Sequence, residues 1–287
     1  RRRQKKTKNA PLKGENIMKK LLTLVMTAVL GIACVFGMTA CGGEQKTVKV
    51  GAQSSTTGFN YASCIKGVEA VGYDTPALAA QDMLNGKIDY LIVDGATAGS
   101  LVKTMKGLKT IDISLTEEQY AIGVDPAQTE LLNKINNILN DKSAEIAAIL
   151  AKEESEFVAI EKGTKDSTKA DKQLVVATNA EFNPFEYVEG DKYKGFDMEI
   201  AKLIADELGM ELVIEDMAFE SVVSAVGKND IDIVMAALTV TADRKTSLNF
   251  SNAYYLESQV IVVAESNKAL DECGTVIDVL SVLSANK

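Results

Sequence analysis

The chain has 287 residues without a single His, and 31 Lys and Arg against 40 Asp and Glu give it a formal net charge of −9. Residues 1–40 hold nine of the bases and only one acid, so the remainder is more acidic still. This acidity argues against nucleic acid as a partner, because affinity for phosphates comes from Lys and Arg. The lack of His excludes His-based metal sites, Ser-His-Asp triads and Cys-His dyads, and we expect no metal and no cofactor.

Residues 18–40 are predicted to be a secretion signal. Lys19 and Lys20 precede an apolar run at 21–36, and small residues then lead to Cys41. The ending Met-Thr-Ala-Cys resembles a bacterial lipobox, in which the Cys is lipidated and becomes the first residue. The alternative is an uncleaved membrane anchor, since the apolar run is close to spanning length. Residues 1–17 are predicted to be an untranslated leader, because part of them back-translates to a purine-rich ribosome-binding site; the alternative is a basic extension of the signal.

Two cysteines remain beyond the signal and the lipidation site, Cys64 and Cys273. In an oxidising compartment they could form a disulfide. Two separate buried thiols are the alternative, and thiol counting under denaturing conditions distinguishes the two.

The stretch from residue 47 to residue 152 alternates predicted strands and helices. A polar turn at 54–58 leads into the first helix, and a Thr-Pro pair begins the second. The predicted strands are 47–51, 68–73, a buried strand that ends at Asp94, and 119–124. The predicted helices follow the turn at 54–58, span 75–84, and form two stretches between 126 and 152.

A second series of the same kind follows a charged segment at 153–172, which is predicted to be a linker. The second series has predicted strands at 174–178, 211–215 and 231–235, and predicted helices at 197–208 and 220–226. Alternating strands and helices predict parallel sheets with ligand sites at the carboxyl ends of the strands. Two such lobes that face each other would form a cleft.

Several ordered blocks in this second series closely resemble the first lobe of bacterial extracellular solute-binding proteins of family 3, the polar amino-acid type. The blocks are 174–187, 195–197, 237–245 and 250–255, while 53–58 and 93–94 resemble the second lobe of that family. The resemblance covers about 47–152 and 173–287. It implies an α/β fold of two lobes, the periplasmic-binding-protein type II or Venus-flytrap fold.

The order of the blocks departs from the family, in which the first lobe precedes the second and the chain then returns to the first. The sequence therefore predicts a circular permutation. Its predicted parts are the second lobe (47–118), the return segment to the first lobe (119–152), the linker (153–172), the first lobe (173–263), and the crossover with the start of the second lobe (264–287). A rearranged gene, or lobes completed by exchange with a second copy, are the alternatives.

The resemblance implies a site for a free amino acid. Arg244 would grip the ligand carboxylate in a fork, a geometry that Lys cannot match. Thr239 and the backbone amides near Ala237 and Thr57 would assist it, and Asp94 would accept the ligand ammonium. From the residues alone, Arg244 could be a solvated surface side chain and Asp94 a helix N-cap.

Four further side chains would define the rest of the site. Phe182 and Phe219 match aromatic walls around the ligand side chain, although core packing is the common fate of Phe. Asn179 and Gln53 match positions that read the ligand side chain. Many family members have Asp where this chain has Asn179, so the sequence favours a neutral polar or small amino acid. Thr56 precedes a helix, where backbone amides bind anions; otherwise it is simply a cap.

These features predict a monomeric, lipid-anchored, extracytoplasmic receptor that delivers an amino acid to an ABC transporter permease and is not an enzyme. The alternative is a dehydratase of the prephenate or arogenate type on the same scaffold, with Glu181 or Glu186 as the general acid. A sensor lobe and a nonfunctional product of rearrangement also remain open.

Overall fold

The computed structural model describes residues 47–284. The predicted leader, the secretion signal and the lipidation site at Cys41 lie outside the described residues. Within 47–284, no helix combines the length and the apolar character needed to cross a membrane.

The described chain alternates strands with helices over most of its length. The strands are β1 (Val48–Gln53), β2 (Val68–Tyr73), β3 (Tyr90–Asp94), β4 (Leu108–Ile111), β5 (Glu118–Tyr120), β6 (Gly123–Val124), β7 (Gln173–Thr178), β8 (Glu181–Phe182), β9 (Glu186–Glu189), β10 (Lys192–Lys194), β11 (Glu211–Asp216), β12 (Ile233–Val234), β13 (Asn249–Phe250), β14 (Tyr255–Glu257) and β15 (Gln259–Ala264). The α-helices are α1 (Thr57–Cys64), α2 (Pro76–Leu84), α3 (Gly95–Thr104), α4 (Thr129–Asp141), α5 (Ser143–Leu150), α6 (Phe196–Leu208), α7 (Phe219–Ala225) and α8 (Val276–Ser284).

Five strands form one sheet, called sheet A here, in the order β2-β1-β3-β15-β4. β1 is parallel to β2 and β3, whereas β15 is antiparallel to β3 and β4. Every residue of β3 is buried, as expected for a strand inside a sheet with helices on both faces. Sheet A therefore combines strands from the two ends of the described chain, 48–111 and 259–264.

A second five-stranded sheet, called sheet B here, has the order β11-β7-β12-β6-β13. β7 is parallel to β11 and β12, while β6 is antiparallel to β12 and β13. Helix α6 packs its apolar face into the core of this sheet through Met198, Ile200 and Ile204, which are all fully buried. It ends at Gly209, whose left-handed conformation suits a residue without a Cβ.

Two short antiparallel strands, β5 and β14, connect the sheets. The chain leaves sheet A after β4, passes through β5 and enters sheet B at β6; it returns through β14 to β15. The single strand predicted at 119–124 is therefore wrong. It is divided into β5 and β6 because the backbone changes partners between the connection and sheet B.

The segment 153–172 lies against the rest of the chain. Phe157 and Ile160 are buried, and Ile160 exchanges two backbone hydrogen bonds of 2.9 Å with Tyr193. Its charged residues face solvent, while these two apolar side chains join cores around sheets A and B. A flexible tether needs no such contacts, so this segment contributes to packing, and its role as a linker between lobes stays a prediction.

The disulfide expected as one alternative is not formed. Cys64 and Cys273 are both free thiols. Cys64 ends α1 with its side chain exposed, whereas Cys273 packs beside the core of sheet A, so the two have different surroundings. The predicted α/β class with two lobes is confirmed by the two sheets and their connection.

Candidate functional site

A small cavity of about 10 Å³ lies between the two sheets, so a ligand larger than a water molecule enters it only when the sheets move apart. It brings together most of the residues that the sequence predicts for a ligand site. The lining residues are Gln53, Thr56, Thr57, Asp94, Phe182, Phe219, Ala236, Ala237, Thr239 and Arg244. Of the predicted set only Asn179 does not line it, and it contacts the lining residue Gln53.

The fold explains why these residues meet. Gln53 ends β1 and Asp94 ends β3, so both lie at the carboxyl edge of the parallel part of sheet A. Asn179 follows β7, and Ala237 comes shortly after β12, the neighbouring parallel strand of sheet B. Carboxyl ends of parallel strands are where α/β sheets bind ligands. In this chain the carboxyl edge of sheet A faces the carboxyl edge of sheet B across the cavity.

Arg244 spans the gap between the sheets. Its Nη1 donates to the Thr239 carbonyl oxygen at 2.8 Å, and its Nη2 donates to the Ser55 carbonyl oxygen at 3.3 Å. The guanidinium carbon lies 5.5 Å from the centre of the Phe219 ring. Burial lowers the pKa of Arg244, and the negative charge of Glu118 opposes that effect. The described part of the chain gives the guanidinium no carboxylate within ion-pair distance, so it is not a solvated surface Arg but a cation held over the cavity by neutral oxygens.

Asp94 is only 6% exposed. It occupies the N-cap position of α3, but its side chain makes no capping hydrogen bond, so capping does not explain this carboxylate. It accepts a hydrogen bond from the Tyr120 hydroxyl instead. Burial raises the pKa of Asp94 to about 7, against the opposing effect of the Tyr120 hydrogen bond, and nearby Glu118 raises it further. Asp94 is thus a carboxylate that lacks a cation.

Two threonine hydroxyls of the site converge on a residue that the sequence analysis missed. Thr57, the first residue of α1, and Thr239, on the sheet B side, both donate to Oε2 of Glu118, at 2.9 and 2.6 Å. Glu118 begins β5 and is 7% exposed. It therefore ties both sides of the cavity to the connection between the sheets. No motif marks it, because its position depends on where β5 runs in three dimensions.

The backbone amide of Ala237 is already used. It donates to Oδ2 of Asp197 at 2.8 Å, and the Ala237 backbone has a φ of +46°. The prediction that amides near Ala237 hold the ligand therefore does not extend to this amide. Asp197, which the resemblance marked only as part of a block, fixes the loop that carries Ala237. Tyr254 donates to its other oxygen at 2.7 Å.

Two amide side chains join the sheets at the other end of the cavity. Gln53 Nε2 donates to Asn179 Oδ1 at 2.8 Å and to the Asp74 carbonyl oxygen at 2.8 Å. Asn179 Nδ2 in turn donates to the Met217 carbonyl oxygen at 3.0 Å. Gln53 and Asn179, the two residues predicted to contact the ligand side chain, are therefore held in fixed orientations. Thr56 accepts from the Phe59 amide at 3.1 Å and is a cap of α1, the plainer of its two interpretations.

Neither candidate general acid lines the cavity. Glu186 is buried, and burial together with the Asp197 carboxylate raises its pKa well above the ordinary range. It is therefore not the solvated charge that was the plain alternative. Glu181 is exposed, and its pKa is raised by partial burial and by Asp216 and Asp74. A buried acid that stays protonated is common at active sites, but Glu186 has no place among the residues around the cavity.

Comparison with known proteins identifies a family model and several relatives that match part of the chain. Residues 174–278 match the model of bacterial extracellular solute-binding proteins, family 3. The chain is similar to the arginine-binding extracellular protein ArtP of Bacillus subtilis, at 40% identity over 33% of this chain and 38% of that protein. It is also similar to the cyclohexadienyl dehydratase of Pseudomonas aeruginosa, at 28% identity over 33% of this chain and 36% of that enzyme.

Among solved structures, the arginine-bound form of domain 1 from TmArgBP aligns with 42% of this chain and 98% of that domain, at 31% identity and a TM-score of 0.29. The chain spans little more than a third of the length of ArtP and of the dehydratase.

Proposed function

Since residues 174–278 carry a segment of the bacterial extracellular solute-binding proteins, family 3, we propose that this chain is an extracytoplasmic receptor that binds a free amino acid between sheets A and B. One observation carries the proposal. The cavity between the sheets is lined by a cation without a carboxylate, Arg244, and by a buried carboxylate without a cation, Asp94. A zwitterion supplies the missing partner of each.

The α-carboxylate of the ligand would take the Arg244 guanidinium, whose planar fork suits two parallel hydrogen bonds. The amides at the start of α1, near Thr57, would take its second oxygen. The ligand ammonium would pair with Asp94. A nearby cation lowers the pKa of a carboxylate, so binding near neutral pH would release a proton from Asp94.

The aromatic side chains Phe182 and Phe219 would enclose the ligand side chain, since both line the cavity. Closure of the two sheets around the ligand would then be a hinge motion through β5 and β14. We further propose that the closed receptor is a lipid-anchored monomer that hands its ligand to an ABC transporter permease, the role that the sequence predicts.

The permuted order of the lobes is part of the same proposal. It is supported by sheet A, in which β15, from the carboxyl-terminal part of the chain, lies between β3 and β4 from the amino-terminal part. A dehydratase activity has weaker support, because the two candidate acids, Glu181 and Glu186, do not line the cavity.

The test is calorimetric titration of the 287-residue chain with the twenty amino acids, followed by the best ligand against variants. Arg244→Ala should weaken binding at least about a hundredfold, because it removes two charge-assisted hydrogen bonds of about 1.5–3 kcal/mol each. Lys245→Ala is the matched control, since Lys245 is the adjacent cation and is exposed. Equal affinity of Arg244→Ala and the unaltered chain would refute the assigned site.

A further inference from the structure

Gln53 and Asn179 lie where the ligand side chain is expected. There Gln53 offers a ligand one hydrogen-bond acceptor, its carboxamide oxygen, and no free donor. A carboxamide nitrogen has two N–H groups, and both are used, one by Asn179 and the other by the Asp74 carbonyl oxygen. The remaining atom, Gln53 Oε1, is buried and has no hydrogen-bond partner among the described residues. Gln53 is 4% exposed and lines the cavity. A buried acceptor without a donor is costly, so this atom indicates a ligand that donates.

The orientation of Gln53 is fixed by its neighbours. Asn179 cannot turn its oxygen away without losing the Gln53 bond, and its nitrogen is held by the Met217 carbonyl oxygen. Rotating the Gln53 amide by half a turn would place its oxygen against the Asp74 carbonyl and the Asn179 oxygen, which are both acceptors. The free acceptor is therefore built into the site.

Three exposed acids belong to segments that contact this pair of amides or adjoin it in the chain. Asp74 follows β2 and holds Gln53 through its backbone. Asp216 ends β11 and accepts from the Ala180 amide at 3.0 Å, while Glu181 lies two residues beyond Asn179. Asp216 and Asp74 both act on Glu181 to raise its pKa. Across the described residues, the ion pairs of Lys and Arg involve other acids, so these three charges are not neutralised by salt bridges.

We propose that the ligand of this cleft is an amino acid whose side chain ends in a cation, a guanidinium or an ammonium group. This rests on the proposed function and adds the ligand class to it. The cationic group would donate to Gln53 Oε1 and lie in the negative field of Asp74, Glu181 and Asp216. A ligand with a side-chain carboxylate would be repelled by Gln53 Oε1 and by the three acids. A ligand with a neutral side-chain amide could donate to Gln53 Oε1 but would not be attracted by the negative charges.

This inference differs from the expectation of a neutral ligand. That expectation considered only position 179, where Asn replaces an acid. In this proposal the negative charge comes instead from Asp74, Glu181 and Asp216, which lie in three separate parts of the chain. Opposite charges attract more strongly near a protein surface than in bulk water, so acids beside the cavity can replace one inside it.

The experiment is calorimetric titration of the 287-residue chain with two pairs of ligands of matched shape. L-arginine is compared with L-citrulline, and L-lysine with L-norleucine. We expect at least one cationic ligand to bind at least tenfold more tightly than its neutral partner. Glu181→Gln should reduce that ratio at least threefold, because it weakens the binding of the cationic ligand more than that of its neutral partner.

Glu265→Gln is the matched control, since it removes one exposed charge from the opposite edge of sheet A. β15 begins at Gln259 beside Asp94 and ends at Ala264, which places Glu265 roughly 20 Å along the strand from the cavity. The inference is overturned if the neutral ligand binds as tightly as the cationic one in both pairs, or if Glu181→Gln and Glu265→Gln have equal effects. Tight binding of a neutral or acidic amino acid would leave the proposed function intact. Binding of no amino acid would overturn both.

Discussion

Replacement of Asp94 by Asn should stabilise the ligand-free protein, and increasingly so as the pH rises. The folded state raises the pKa of Asp94 from 3.8 to about 7, chiefly through burial. The folded protein therefore holds this proton more tightly than the unfolded chain does. Its stability falls as the pH rises between these two values, since ionising the buried group opposes folding. Asn has no charge to bury and still offers Tyr120 an oxygen.

The size of the effect follows from the same two values. At about 1.4 kcal/mol for each tenfold change in the acid constant, the rise from 3.8 to about 7 costs the folded state about 4 kcal/mol at pH 8. At pH 5 most of the folded molecules keep the proton, and the cost is about 1.6 kcal/mol. Asp94→Asn should therefore gain about 2–3 kcal/mol more at pH 8 than at pH 5.

Urea unfolding of the ligand-free chain at pH 5 and pH 8 measures this difference directly. Asp112→Asn is the control, because Asp112 is exposed and the substitution removes the same charge from the surface. The reasoning fails if Asp94→Asn changes the free energy of unfolding equally at both pH values, or lowers it at pH 8. Asp94→Asn should also bind the ligand more weakly. In the unaltered protein the ligand ammonium pairs with the Asp94 carboxylate and offsets the free energy of burying that charge, and Asn has no charge to pair with the ammonium.

Three further substitutions test the packing around the site by urea unfolding. Glu118→Ala leaves the hydroxyls of Thr57, Thr116 and Thr239 without this acceptor and should cost about 2–4 kcal/mol, whereas Ala at the exposed neighbour Glu117 should cost less than about 0.5 kcal/mol. Gly195→Ala should cost more than about 3 kcal/mol, because φ is +117° and a Cβ there would overlap a backbone carbonyl; Gly190→Ala, which also has a positive φ but open space, should cost about 1–2 kcal/mol. Ile160→Ala should cost about 2–4 kcal/mol if the segment 153–172 is part of the core, and an effect near zero would identify it as a free tether.

Much of the site could be predicted because it lies at strand ends. Gln53 and Asp94 each follow a run of buried residues, and the carboxyl edge of a parallel sheet is a general location for ligands. Arg244 and Thr239 lie in a loop with no such pattern. Their placement came from the resemblance to a family, and the periodicity of the sequence alone would have left Arg244 on the surface.

The parts that could not be predicted depend on distant segments meeting. Glu118 joins two threonines that are 182 positions apart, and it does so only because β5 crosses between the sheets. The Asp197 carboxylate that occupies the Ala237 amide comes from the start of α6, 40 positions earlier. Local patterns carry no information about either contact, since both are set by the way that complete elements pack.

The hydrogen bonds that already link sheets A and B determine how much free energy a ligand must add to close the cleft. The Gln53–Asn179 bond and the Arg244–Ser55 bond span the cleft without a ligand, and such bonds contribute about 1 kcal/mol each. Moving a two-state cleft from mostly open to mostly closed needs about 5.5 kcal/mol of difference in ligand affinity between the states. The ligand carboxylate, through two charge-assisted hydrogen bonds to Arg244, provides about 3–6 kcal/mol, and the ligand ammonium at Asp94 provides about 1.5–3 kcal/mol. The middle of each range lies below about 5.5 kcal/mol and their sum lies above it, so a ligand that lacks either its carboxylate or its ammonium should leave the cleft mostly open.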